Sequence, residues 1–137
     1  MRLLNYLFLF SAPRQTRLHR PPSNKNSEVS LLYNKDMLST RDARIARKVK
    51  RRLSEITPVK RLVVYGSRAR GKPVKYSDLD LYIELDKKVD IALRKKIGEI
   101  AWEVSLDSGV VISTLVASDS LKGQPILKAI KAEGIAV

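Results

Sequence analysis

The chain contains no cysteine, which excludes disulfides and thiolate zinc sites and fits a reducing, cytoplasmic setting. It has one histidine, His19, set in a polar stretch and read as a bystander rather than a ligand or base. Long hydrophobic runs are lacking too. The opening run, Leu3 to Phe10, is broken by Asn5 and Tyr6 and is too short to span a bilayer, so no membrane is expected as a partner. Acidic residues are scarce, 14 Asp and Glu against 27 Lys and Arg, for a net charge of +13. From Met37 onward 21 Lys and Arg face 12 Asp and Glu, so most of that excess lies there. Such a balance favours nucleotides, nucleic acid or an acidic partner; the plain alternative is an unspecific basic surface. There are no internal repeats, and 137 residues with 44% apolar side chains make one domain with enough apolar material for a core.

The chain divides by composition. Arg2, the short apolar run and Ser11-Ala12-Pro13 have the outline of a weak secretory signal. Residues 13–27 are rich in Arg, Pro, Ser and Asn and read as disordered. Glu28 to Tyr33 fits a short helix or a strand equally well. Residues 1–36 are therefore read as an N-terminal extension, disordered or upstream of a true start at Met37, and residues 37–137 as the domain.

Within the domain, periodicity predicts a helix from Thr40 to Ile56, capped by Ser39, with Ile45, Val49, Leu53 and Ile56 as its apolar stripe. Its other faces carry Arg41, Arg44, Arg47, Lys48, Lys50, Arg51 and Arg52, either a phosphate- or RNA-facing surface or a solvated one. Pro58 ends that helix, and Val59 to Tyr65 reads as a strand. A short helix is expected over Ser67 to Lys72 and a long one over Asp90 to Leu106. Leu93, Ile97, Ile100, Ala101 and Val104 line the inner stripe of the long helix, and Trp102 packs at its edge. Val110 to Val116 follows as a strand, then a helix opened by Pro125 and stopped by Gly134, then an edge strand over Ile135 to Val137. The fold class is a small α/β (α+β) domain with helices against a mixed sheet.

The informative stretch is Leu62 to Leu85. An apolar run, Leu62-Val63-Val64-Tyr65, meets Gly66-Ser67; ten residues later comes Asp78-Leu79-Asp80. Gly66 permits a sharp turn and close approach of a ligand. In the second run Leu79, Leu81, Ile83 and Leu85 face one way, and Asp78, Asp80, Tyr82 and Glu84 the other. Two carboxylates on one strand face, with Cα atoms roughly 6.5–7 Å apart, can converge on one or two Mg²⁺ ions.

Gly-Ser, ten residues, Asp-x-Asp resembles the nucleotidyltransferase signature of the DNA polymerase β superfamily. The flanking Val64-Tyr65-Gly66-Ser67-Arg68-Ala69-Arg70-Gly71 and Ser77-Asp78-Leu79-Asp80-Leu81 resemble the minimal nucleotidyltransferases, often encoded beside a HEPN-domain toxin. The resemblance spans roughly Met37 to Val137 and implies the nucleotidyltransferase fold. It implies a metal pair, Mg²⁺ or alternatively Mn²⁺, on catalytic Asp78 and Asp80. It also implies nucleotide binding by Gly66, Ser67 and Arg68, with Arg70 as a weaker addition. The implied reaction transfers a nucleoside monophosphate, AMP from ATP or its equivalent from another NTP, to a hydroxyl. In antitoxin members that hydroxyl is a tyrosine of the partner HEPN toxin. Export would deprive such an enzyme of its triphosphate, which argues against reading the N-terminus as a signal. Nucleic acid as a partner is not favoured. The third carboxylate usual in the family would stand at Ser113 or Thr114; neither is acidic, Glu84 lies about 13 Å from Asp80 along the strand, and Asp107 precedes the strand. The chain is thus expected to bind nucleotide more securely than it turns it over. The alternatives are a silent module that neutralises its partner by contact and, with little spare chain for a pocket, a small-molecule transferase of the aminoglycoside-modifying kind.

Overall fold

The computed structural model describes residues 38–137; the readings made for residues 1–36 lie outside this range. Helix α1, Thr40–Ser54, begins where Ser39 Oγ accepts the Asp42 amide at 3.0 Å. Its stripe buries Ile45, Ala46, Val49 and Leu53. Ile56 does not join them: the helix has ended, the 3.6-residue register is lost, and the side chain is exposed. Strand β1, Val59–Tyr65, runs as the sequence predicts and leads into the four-residue helix α2, Gly66–Ala69, shorter than the Ser67–Lys72 expected. Strand β2 is Leu79–Leu85 and helix α3 is Ile91–Ser108, capped by Asp90 and closed by Gly109 in the left-handed region. Strand β3 is Ile112–Val116, helix α4 Pro125–Glu133 and strand β4 Ile135–Ala136. Val110 and Val111, expected in β3, precede it.

The strands form one mixed sheet, ordered β3-β2-β1-β4. β1 pairs antiparallel with β2 and β4, and β2 pairs parallel with β3. A parallel pair needs a long crossover, which α3 supplies. One sheet face carries the main core: Leu62, Val64, Leu79, Leu81 and Ile83 meet Ile45, Val49 and Leu53 of α1 and Ile97, Ile100 and Val104 of α3. The other face is only partly covered. There Val63 and Tyr82 pack with Ile130 of α4, so Tyr82, on the polar face by alternation, is buried by α4.

The basic surface of α1 is partly spent on α3. Lys48 pairs with Asp107 at 2.9 Å, Arg52 pairs with Glu103, and Arg41 donates to the Ser108 carbonyl at 2.8 Å. These contacts are exposed and each contributes little, but they show that such charges need no nucleic acid to explain them. Trp102 is 63% exposed rather than packed at the helix edge. No helix among the described residues is long and apolar enough to cross a membrane.

Burial sets the first expected outcome. Leu81 is fully buried, so Leu81→Ala costs about 2–5 kcal/mol, whereas Trp102→Ala stays within about 0.5 kcal/mol of the native protein. Urea unfolding followed by circular dichroism reads both; a large loss at Trp102 would overturn its placement.

Candidate active site

Antiparallel pairing sets Tyr65 opposite Asp80, and parallel pairing sets Ser113 opposite Asp80. Directly paired strand residues point to the same side. Tyr65, Asp80 and Ser113 therefore form one row across three strands, on the face away from the main core. Thr114 is paired with Leu81, a core residue, and so belongs to the opposite face. Of the two positions left open for the third carboxylate, Ser113 is the one beside Asp80.

The chain leaves β1 at Gly66 with φ +78°. A Cβ there would also collide with Asp80 Oδ2. Glycine is thus demanded twice, by the left-handed backbone and by the carboxyl lying against its Cα. Ser67, Arg68 and Ala69 follow in α2, whose first amides have no acceptor inside the helix. Arg70 N and Lys72 N close the turn onto the Gly66 and Ser67 carbonyls at 3.2 and 3.0 Å. The fold thus sets Gly66, at the head of the Gly-Ser turn, against the Asp80 carboxyl.

Asp78 stands one residue before β2 and is exposed; Asp80 is half-buried. Burial pushes the Asp80 carboxyl above its ordinary pKa and the Asp78 charge adds to this, while the Ser113 hydroxyl and Arg70 act the other way. Burial likewise raises the Tyr65 phenol, and Asp80 raises it further. Two carboxylates close enough to repel suit a hard divalent cation, whose charge would relieve that repulsion. Among the described residues no three His, Cys, Asp or Glu side chains cluster as a metal site. Glu84 pairs with Lys60 at 2.8 Å and Asp107 with Lys48, so neither supplies a third acid.

Arg68 is placed differently from its neighbours. Its Nη1 donates to both Asp42 carboxylate oxygens, at 2.9 and 3.1 Å, and its Nε donates to the Ser77 carbonyl at 2.9 Å. Arg70 reaches Glu133 of α4 at 2.8 Å. Asp42, Tyr65 and Glu133 are the neighbours of the site that the sequence reading passed over. Only Tyr65, adjoining Gly66, carried a local signal; the others lie far away along the chain.

Gly66→Ala is expected to lose stability and to lose Mg²⁺-nucleotide-dependent thermal stabilisation, because Asp80 must move. Gly98→Ala, in α3 with open space where its Cβ would go, is expected to gain about 0.5–1 kcal/mol. Melting curves with and without Mg²⁺-ATP separate the two; a Gly66→Ala protein with native stabilisation by Mg²⁺-ATP would contradict the close approach.

Similarity to known proteins accords with this arrangement. Two solved structures of the toxin–antitoxin MntA-HpeT share the fold. The first, a double aspartate-to-glutamate mutant, has a TM-score of 0.50 at 12% identity, covering 69% of this chain and 70% of that one. The second, a tyrosine-to-alanine mutant, has a TM-score of 0.50 at 16% identity, covering 66% and 69%. No curated protein matches the chain. The family model described as "Nucleotidyltransferase domain" matches residues 46–136, most of the described chain and all of the row and turn above. The chain belongs to the nucleotidyltransferase domain family.

Proposed function

We propose that the protein transfers a nucleoside monophosphate, AMP from ATP, to a hydroxyl of a partner protein, as an antitoxin modifying a tyrosine of a HEPN-type toxin. The observation that carries the reading is the packing of the Asp80 carboxyl against Gly66, which joins a phosphate-sized turn to a carboxylate pair. In this reading Gly66 and Ser67 hold the β- and γ-phosphates with backbone amides and the Ser67 hydroxyl. Asp78 and Asp80 hold Mg²⁺, two ions or Mn²⁺ in its place. When bound, the metal stabilises the attacking and leaving oxygens. The acceptor oxygen forms its bond to the α-phosphorus as the bond to pyrophosphate breaks, and the acceptor proton passes to solvent or a site base. The protein's own share is to align the three groups and hold them dry and fixed.

The partner assignment has two supports. The fold neighbours are toxin–antitoxin structures, one with two aspartates two positions apart substituted, the spacing of Asp78 and Asp80. A cleft of about 630 Å³ also begins at Tyr82, two residues beyond Asp80 along β2, and is lined by Lys87, Lys88 and Arg94. None of these three cations forms an ion pair among the described residues, while the cleft's Glu84 and Asp119 are matched by Lys60 and Lys122. Such a cleft suits an acidic segment of a partner and would steer its approach.

Transfer from ATP labelled at the α-phosphate to a co-purified acceptor tests the proposal. Asp78→Ala combined with Asp80→Ala is expected to remove both the label transfer and the stabilisation by Mg²⁺-ATP while leaving the fold intact. Full stabilisation in the double variant would place the nucleotide elsewhere.

Ser113 favours a second reading, a silent module that neutralises its partner by contact, because a hydroxyl adds no charge between two dications. Ser113→Asp is expected to lower the Mg²⁺ concentration needed for half-maximal transfer. Thr114→Asp turns a charge toward the core and destabilises by several kcal/mol. Brisk native transfer at low Mg²⁺ that Ser113→Asp does not improve would mean that two carboxylates suffice; absence of transfer in both proteins, with the partner still bound, would favour the silent module.

A further inference from the structure

The Arg68 guanidinium is held on two sides. Its side chain is 16% exposed and that of Asp42 4%. The Nη1 and Nε donors are directed at Asp42 of α1 and at the Ser77 carbonyl. Three parts of the chain meet in this one group: the first turn of α1, the Gly-Ser turn that carries Arg68 itself, and the peptide immediately before Asp78.

The Ser77 end is well defined. The Ser77 amide donates to the Val74 carbonyl at 3.0 Å, and the Ser77 hydroxyl bonds both the Val74 amide and its carbonyl at 2.8 Å. This closed turn accommodates Tyr76 at φ 69°, an uncommon conformation for a non-glycine residue. Beyond Asp78, the Leu79 amide donates to the Val111 carbonyl at 2.8 Å. Asp78 thus has its preceding carbonyl fixed by Arg68 and its following amide fixed by Val111. Asp78 is itself off the sheet ladder and exposed, so these two bonds fix the backbone from which its carboxylate projects.

We infer that Arg68 and Asp42 form a positioning pair that holds Asp78 in register with the Gly66-Ser67 turn, with Arg68 acting through Ser77 rather than on phosphate. The inference rests on the nucleotidyl-transfer reading of the site. An arginine that spends its planar fork on a carboxylate and a carbonyl is not interchangeable with lysine. Asp42 has no part in the chemistry, yet the fork loses its anchor without it.

The test uses Mn²⁺ as a spectroscopic probe of the metal site, titrated into the full chain with ATP and followed by electron paramagnetic resonance. Arg68→Lys and Asp42→Asn are each expected to weaken Mn²⁺ about tenfold, as loss of groups that orient metal ligands does. ATP affinity at saturating Mn²⁺ stays unchanged, and the double variant is no worse than either single one. Hydrogen exchange at the Leu79 amide quickens in both. If Arg68→Lys instead weakens ATP at saturating metal while Asp42→Asn changes neither quantity, Arg68 is a phosphate ligand and the inference fails. If both variants lose the fold by circular dichroism, the pair is a general strut and the inference also fails. Native protein that binds no Mn²⁺-ATP overturns the nucleotidyl-transfer reading itself, a result distinct from either.

Discussion

The Asp80 carboxyl lies where a side chain on residue 66 would be, and the rest of the site depends on that contact. It brings the end of β1 and the start of β2 together at their polar face, so a turn with unpaired amides and a carboxylate share one small volume. Asp80 is fixed by the backbone ladders of its strand, and Gly66 follows directly on the last paired residue of β1. Asp80 is paired with Tyr65 on one side and Ser113 on the other, at strand spacings that hydrogen bonds hold near 4.8 Å. Burial and the Asp78 charge both raise the Asp80 carboxyl above its ordinary pKa.

The two sheet faces divide the labour. The face toward α1 and α3 is apolar save for Thr114 at its β3 edge, and it supplies the stability on which the other face draws. The opposite face carries a smaller cluster, in which Ile130 of α4 meets Val63 and Tyr82 and Tyr65 packs at its margin, and the row from Tyr65 to Ser113 lies outside the main core. Parity along β2 separates the tasks: Leu79, Leu81 and Ile83 go inward while Asp80 goes outward. A shift of one residue would bury the carboxylate and expose the leucines.

Much of this was legible in the residues. The bounds of β1 match the expectation because Pro58 and Gly66 punctuate it, and α3 starts beside the expected Asp90 but runs two residues past the expected Leu106, to Ser108. The adjacency of Gly66 and Asp80 accords with what the resemblance to the nucleotidyltransferase signature implies. What stayed hidden depends on contacts distant in sequence. Whether Ser113 or Thr114 faces Asp80 is a question of register between β2 and β3, which alternation within one strand cannot settle. The pairing of Asp42 with Arg68 across 26 residues is a tertiary fact. Trp102 was misplaced because an aromatic residue beside an apolar stripe reads as core, whereas one helical step rotates it out to solvent.

The Val74–Ser77 turn has a consequence for how such a domain can diversify. The chain between Gly71 and Ser77 is exposed save for Ser77 itself, and it is anchored at both ends to Arg68: by its backbone carbonyl at Gly71 and by its guanidinium at Ser77. Extra residues placed between those anchors would add only the slowly growing closure entropy of a longer loop and would leave both anchors in place. This is where the chain could lengthen while the contact of Gly66 with Asp80 stays as it is.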